Sequence, residues 1–161
     1  LKNVLILCLA GLLAAGATAQ TVAAPGNEPI GTEAADPTFR PADMADLSEF
    51  LWLKRPVLVF ADSENDPAFA EQMELLLEGE GQLIERDVVV LTDTDPAARS
   101  ALRLKMRPRG FMLVIVGKDG QVKLRKPFPW DVREITRSID KMPIRQKEIR
   151  DAKERSGTIL E

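Results

Sequence analysis

Two residue types that carry much of enzyme chemistry are scarce or missing in this chain. Its 161 residues include no histidine, and the one cysteine is Cys8. Beyond that position no thiol remains for disulfide exchange, peroxide reduction or thioester chemistry. Without imidazole there is no Ser-His-Asp triad, and the usual zinc ligands are gone. Carboxylates, lysine and hydroxyls are left, and glycosidases with paired carboxylates are the main soluble class that works with those. An excess of one charge is lacking too. The 22 basic and 25 acidic residues give a net charge of −3, which predicts no nucleic-acid or membrane-surface footprint.

The opening segment "LKNVLILCLAGLLAAGATAQ" has a basic start at Lys2, an apolar run from Val4 to Ala15, and Ala17-Thr18-Ala19 before Gln20. That is the plan of a secretory signal with an A-x-A cleavage site, expected to occupy residues 1–19. The run is shorter than the roughly 20 residues of a spanning helix. Leu7 before Cys8, and the apolar residues after it, argue against a lipidated cysteine. The expectation is a periplasmic or secreted bacterial protein that loses its cysteine with the signal and keeps no stable membrane anchor. Residues 20–46 are rich in Ala, Pro, Gly and acids without apolar periodicity, so they are expected to form a disordered, dispensable leader. A domain over 47–142 and a charged helix with tail over 143–161 complete the organisation.

Four runs have strand length: "VLVFA" (57–61), "DVVVLT" (87–92), "FMLVIV" (111–116) and "QVKLRK" (121–126). The first three are apolar throughout, as strands covered on both faces are, and the fourth alternates like an edge strand. "GKDG" joins the last two as a tight hairpin. Helical stripes follow Asp66-Pro67 (Phe69, Met73, Leu76, Leu77) and Asp95-Pro96 (Ala98, Ala101, Leu102), with Asp as cap and Pro in the first turn. A third stripe is Val132, Ile135 and Ile139 behind Asp131. The segment 143–155 reads as a solvated helix anchored by Ile144 and Ile149. The order β-α-β-α-β-β-α with a right-handed crossover predicts an α/β, thioredoxin-like, four-stranded mixed sheet with helices on both faces and a charged C-terminal helix. A truncated flavodoxin-like fold is the rival, disfavoured by the hairpin.

In such a sheet four connections meet at one edge: 62–66, 92–95, 107–110 and 127–130. Ligands of α/β sheets bind at the carboxyl ends of the strands. The candidate binding residues there are Asp62, Glu64, Asn65, Asp66, Asp93, Arg107, Pro108, Arg109, Phe128 and Trp130, with Asp95 and Lys126 beside them. Arg107 or Arg109 is expected to pair with Asp62, Glu64 or Asp66. The start of the loop, Asp62-Ser63-Glu64-Asn65-Asp66, has the spacing of a calcium loop, but Pro67 stands where that loop needs Gly and Met73 where it needs Glu. No metal or other cofactor is expected.

The stretches "RPVLVFADSENDPAF", "ERDVVVL", "GFMLVIVGKDGQVKLR" and "IDKMPIRQKEIR" resemble the bacterial proteins grouped as domain of unknown function 4174, over about Leu47 to Arg150. The resemblance implies a thioredoxin- and peroxiredoxin-related fold in an extracytoplasmic setting, akin to domains of vertebrate secreted sushi-repeat matrix proteins, and no established reaction. Laid over the W-C-G-P-C motif of thioredoxins, Glu64-Asn65-Asp66-Pro67-Ala68 keeps the Pro and replaces both cysteines, by Asn65 and Ala68. Arg109 fits the place of the peroxiredoxin arginine, without its thiolate partner. Thioredoxin-like folds also place a cis-proline near Pro108, where an ordinary trans turn is the alternative.

Three functional readings follow. The first is a non-catalytic module that binds a protein or peptide partner at the loop edge. The second is a carboxylate-dependent hydrolase using Asp62 or Glu64 with Asp93, and the third is a purely structural domain.

Overall fold

Val57, Leu58, Val59 and Phe60 are all fully buried. Neighbouring strand residues point to opposite faces, so a strand apolar at every position needs cover on both sides. Val57 and Val59 join one core cluster, and Leu58 and Phe60 the other. The sheet that separates these two clusters organises the domain.

The structure, a computed structural model, describes residues 38–42 and 45–158. The signal segment 1–19, residues 20–37 of the leader and the tail 159–161 lie outside the described residues. The elements are β1 (Phe39–Pro41), β2 (Arg55–Phe60), α1 (Pro67–Glu78), α2 (Glu80–Ile84), β3 (Val88–Asp93), α3 (Ala101–Met106), β4 (Met112–Val116), β5 (Val122–Lys126), α4 (Val132–Asp140) and α5 (Pro143–Thr158). Short 3-10 turns lie at Leu47–Phe50 and Pro96–Ala98.

The sheet order is β1-β3-β2-β4-β5. β2 and β3 are parallel, with Val57 opposite Val90, and β4 runs antiparallel to β2, with Phe60 opposite Met112. β5 returns antiparallel to β4 through a turn in which Gly117 donates to the Gln121 carbonyl and Gly120 takes the left-handed φ of 73°. From β2 onward the chain follows the α/β, thioredoxin-like course read from the sequence. Leu76, Leu83, Val132, Ile135 and Ile139 bring α1, α2 and α4 onto one face, and Leu102 and Met106 bring α3 onto the other.

The strand count is five where four were expected, because part of the expected leader is structured. Phe39–Pro41 pairs parallel to β3, and the Val90 amide donates to the Thr38 carbonyl at 2.6 Å. Phe39 packs on the first cluster, while Ala42 and Ala45 are buried in the second. Asp46 caps the 3-10 turn in a capping box with Glu49, and the Arg40 guanidinium lies 5.7 Å from the centre of the Phe50 ring. β3 is apolar on both faces, so its open edge gains from a covering strand even one of three residues. Phe69, Met73 and Leu76 of the expected α1 stripe pack on the first cluster. Gln72 and Leu76 are buried, whereas Leu77 is exposed.

α5 is held by charge, and its expected anchors Ile144 and Ile149 are half-buried. Arg55 opens β2 with a side chain only 1 % exposed, and its Nη2 donates to both carboxylate oxygens of Glu148 at 2.8 Å. Its Nη1 donates to the Arg86 carbonyl, and Lys118 bridges Asp87 and Glu148. Arg86 forms a two-pronged pair with Asp140 at the end of α4. Burial opposes ionisation of Glu148, but hydrogen bonds from Lys118 and Arg55 outweigh it and hold its carboxyl below the usual range. Arg86 does the same for Asp140.

Two outcomes are expected. Phe39→Ala should cost about 1 kcal/mol, since Phe39 is only partly buried, and lower Tm by roughly 4–8 °C; an unchanged thermal melt would show that β1 contributes nothing. The depressed Glu148 carboxyl gives stability that is complete above its unfolded pKa and is lost as pH falls through the lower folded value. Glu148→Gln should therefore lower stability at pH 7 by about 1.5–3 kcal/mol and flatten the acid limb of a stability–pH profile. A mutant profile parallel to the wild type would contradict the assignment.

Candidate functional site

β2, β3 and β5 end, and β4 begins, at one edge of the sheet, as their pairing directions require. The four connections expected there do meet there. Their side chains divide the work differently from the sequence reading.

The loop after β2 uses its acids in three ways. Asp66 caps α1, accepting from the Ala68 amide at 2.8 Å. Asp62 lies 3.4 Å from Arg103 Nη1, and Glu64 is exposed on the rim of a cleft. Asn65 is exposed and donates its amide to the Ser63 hydroxyl. Ala68 is partly buried against the core, so the two cysteine positions of the thioredoxin motif are a surface amide and a packing methyl.

Asp93 ends β3 only 8 % exposed, with both oxygens occupied. Its Oδ2 accepts from Ser100 Oγ at 2.5 Å, and its Oδ1 accepts from Arg103 Nε and Nη2 at 2.9 and 2.7 Å. Ser100 Oγ in turn accepts from the Arg103 amide, capping α3. Arg103 Nη2 also donates to the carbonyls of Ala61 and Asp93, and the guanidinium lies over the Phe60 ring at 5.6 Å. One buried arginine thus ties the ends of β2 and β3 together.

The expected pairing of Arg107 or Arg109 with the loop acids is therefore corrected. α3 delivers Arg103 to Asp62 and Asp93, and neither Arg107 nor Arg109 forms an ion pair within 4.0 Å among the described residues. Arg107 closes α3 as a left-handed C-cap with φ 51°, a conformation that bulky residues adopt rarely. The Arg107-Pro108 bond is trans, so Pro108 takes the ordinary alternative, and Arg107 and Arg109 are exposed on either side of it. This turn still abuts the acids: a Cβ at Gly110 would stand 4.0 Å from Asp62 Oδ2. Arg125 Nη1 donates to the Met106 carbonyl and so satisfies the end of α3.

Beyond β5, Lys126 Nζ lies 5.6 Å from the centre of the Phe128 ring and 4.7 Å from that of Trp130, within cation–π range of both. Phe128 is half exposed. The Trp130 backbone is clamped by buried Gln72, which accepts from its amide at 2.7 Å and donates to its carbonyl at 3.0 Å. The cleft itself, about 270 Å³, is lined by Pro41, Glu64, Thr92, Asp93, Thr94, Asp95, Ala98 and Ser100. Among the described residues no three acidic side chains are grouped to hold a metal ion.

Sequence reasoning missed Ser100, Arg103 and Gln72. The one available signal was Ser100-x-x-Arg103 at the start of α3, a cap position followed by a cation beside the apolar pair Leu102 and Met106.

With this geometry in place, comparison with known proteins settles the family. Residues 46–148 match the model of a domain of unknown function, DUF4174, and the chain belongs to that family. No curated protein matches the chain by sequence. Among solved structures, the reduced 2-Cys peroxiredoxin of Plasmodium vivax is similar at a TM-score of 0.52 and 16 % identity, over 64 % of this chain and 85 % of that one. The thioredoxin peroxidase I of Plasmodium yoelii gives 0.47 and 17 %, over 64 % and 80 %. The reduced desulfothioredoxin of Desulfovibrio vulgaris Hildenborough gives 0.49 and 17 %, over 65 % and 96 %. At these identities the likeness is one of fold, and no cysteine is present among the described residues to extend it to chemistry.

The buried pair makes a direct forecast. Arg103→Ala should destabilise the domain by about 3–5 kcal/mol, because Asp93 would stay buried without its cation. Arg109→Ala should change stability by no more than about 0.5 kcal/mol. Urea melts of the two variants check the contrast, and equal losses would overturn the roles given to the two arginines.

Proposed function

We propose that this member of the DUF4174 family is a non-catalytic binding module of the bacterial periplasm or exterior, which holds a protein or peptide partner at the loop edge of its sheet. The observation that carries this reading is the state of Asp93. The most enclosed acid of the edge has both oxygens committed to Ser100 and Arg103. A hydrolase using Asp62 or Glu64 with Asp93 needs a carboxyl free to exchange a proton or attack a substrate. Asp93 is held as a structural anion instead, and Asp66 is spent on a helix cap.

What stays available at the edge suits binding. The cleft beside Thr94 and Asp95 is open, Phe128 presents a half-exposed ring, and Arg107 and Arg109 are exposed without an ion pair among the described residues. Exposed aromatics and arginines on ordered backbone are the side chains that protein interfaces favour. The placement outside the cytoplasm rests on the sequence features of residues 1–19.

A photo-crosslinking benzophenone residue in place of Phe128, with the same residue at Arg150 on α5 as control, tests the reading. In an envelope extract of the source cells, position 128 should capture a discrete partner that excess unmodified protein competes away, and position 150 should not. Absence of a competable product at position 128 would overturn the proposal.

A further inference from the structure

The charges of the loop edge are sorted by side. Acids stand on the connections that leave β2 and β3: Asp62, Glu64 and Asp95. Cations stand where the chain enters β4 and leaves β5: Arg107, Arg109 and Lys126; the exceptions are Arg99, which follows Asp95 by four residues, and Asp131, which caps α4 behind Trp130. The sequence has the same division, for no Asp or Glu occurs between Pro96 and Lys118 while Arg99, Arg103, Lys105, Arg107 and Arg109 do. Of those five, only Arg103 forms an ion pair within 4.0 Å among the described residues. Arg103 neutralises Asp93 and reaches Asp62, and Asp95 caps the Pro96–Ala98 turn with one oxygen. The acidic side therefore keeps Glu64 and the outer oxygen of Asp95, while the basic side keeps Arg107, Arg109 and Lys126.

We infer that the partner segment held at this edge is a short extended peptide of opposite polarity, with carboxylates over Arg107, Arg109 and Lys126 and a basic residue over Glu64 and Asp95; this rests on the binding role proposed above. Guanidinium forks match carboxylate geometry, and the Arg-Pro-Arg turn holds two of them at fixed spacing. The aromatic pair under Lys126 gives the acidic end of the peptide an apolar floor. From β3 to β5 the sheet has three inter-strand steps of about 4.8 Å, so the outermost charges, Asp95 and Lys126, leave strands roughly 14 Å apart, a span of four or five extended residues.

A uniform polyanion fits less well. Nucleic acid or an anionic bilayer reaching Arg107 and Arg109 also meets the carboxylates of the adjoining loop, since Asp62 lies beside the Gly110 turn. That separation falls within the screening length of about 8 Å at physiological salt, so the repulsion acts there. The same argument sets the polarity: a peptide with its basic end over the arginines meets like charge at both rims.

The probe is a fluorescein-labelled peptide, Lys-Gly-Ser-Ala-Glu-Glu, titrated by anisotropy at low salt beside its Gln-for-Glu counterpart, a labelled oligo-dT and phosphatidylglycerol vesicles. The acidic peptide should saturate below about 1 mM, bind about tenfold more tightly than the Gln peptide, and weaken as salt is raised. Arg107→Gln with Arg109→Gln should remove that tenfold preference without altering the melt, and Glu64→Gln should weaken binding less. No saturation by that concentration, equal binding of the Gln peptide, an unaffected double variant, or binding of oligo-dT or vesicles in place of the peptide would each overturn the inference. Crosslinking from position 128 that persists in the double variant would do the same while leaving the binding role intact.

Discussion

Arg103 takes a full positive charge to the junction of β2 and β3, where its side chain is 9 % exposed. Desolvating such a group costs several kcal/mol, and only good geometry with further hydrogen bonds offsets that. Here the guanidinium donates to both the carboxylate and the carbonyl of Asp93 and to the Ala61 carbonyl. Asp93 is held from its other oxygen by Ser100, which is the cap of α3. The position of α3 follows from this arrangement, and with it the Arg107–Gly110 turn that leads into β4. Neutralising the inner acids from within leaves the outer ones to face solvent. The surface character of the edge is thus a consequence of its buried pair.

β2 has such an arginine at each end, and the two differ in what they secure. Arg55 faces Glu148 and fastens α5 across the start of the strand, a contact between segments far apart in the chain. Arg103 fastens the end of β2 at Ala61 and Asp62 to the end of β3 and to the short helix that follows it. At the Arg55 end, Lys118, Asp87, Arg86 and Asp140 extend the pairing around the arginine. At the Arg103 end the pairing stops at the rim.

The sheet was legible because its signals are strong and local. Apolar runs of strand length, Asp-Pro helix starts and the GKDG hairpin each state an element and its neighbour, and the topology rules leave few ways to join them. β1 was illegible for the converse reason. Phe39 is one apolar residue between Pro37 and Pro41, and its stability comes from the β3 edge, which composition cannot show. The site was half legible. Geometry brought the right loops together, but sequence gave no means of ranking three arginines within seven residues. Arg107 and Arg109 flank a proline and look like site residues, whereas Arg103 sits one position from Leu102 on a helix of six residues. Burial decided between them, and burial of a cation is a tertiary property.

The turn after β2 shows how this helix N-terminus is satisfied without a thiolate. In W-C-G-P-C the reactivity is a low thiol pKa at a helix N-terminus, a site that favours negative charge. This chain keeps the strand, the turn, the proline and the helix, and it fills the same electrostatic need with the capping carboxylate of Asp66. A fixed anion at that position leaves no vacancy for a thiolate-like ligand on the helix end. The exposed charges of the edge then lie outside it, on Glu64 and the capping Asp95 to one side and Arg107 and Arg109 to the other. Rim charges of this kind act on encounter rate and partner choice more than on raw affinity.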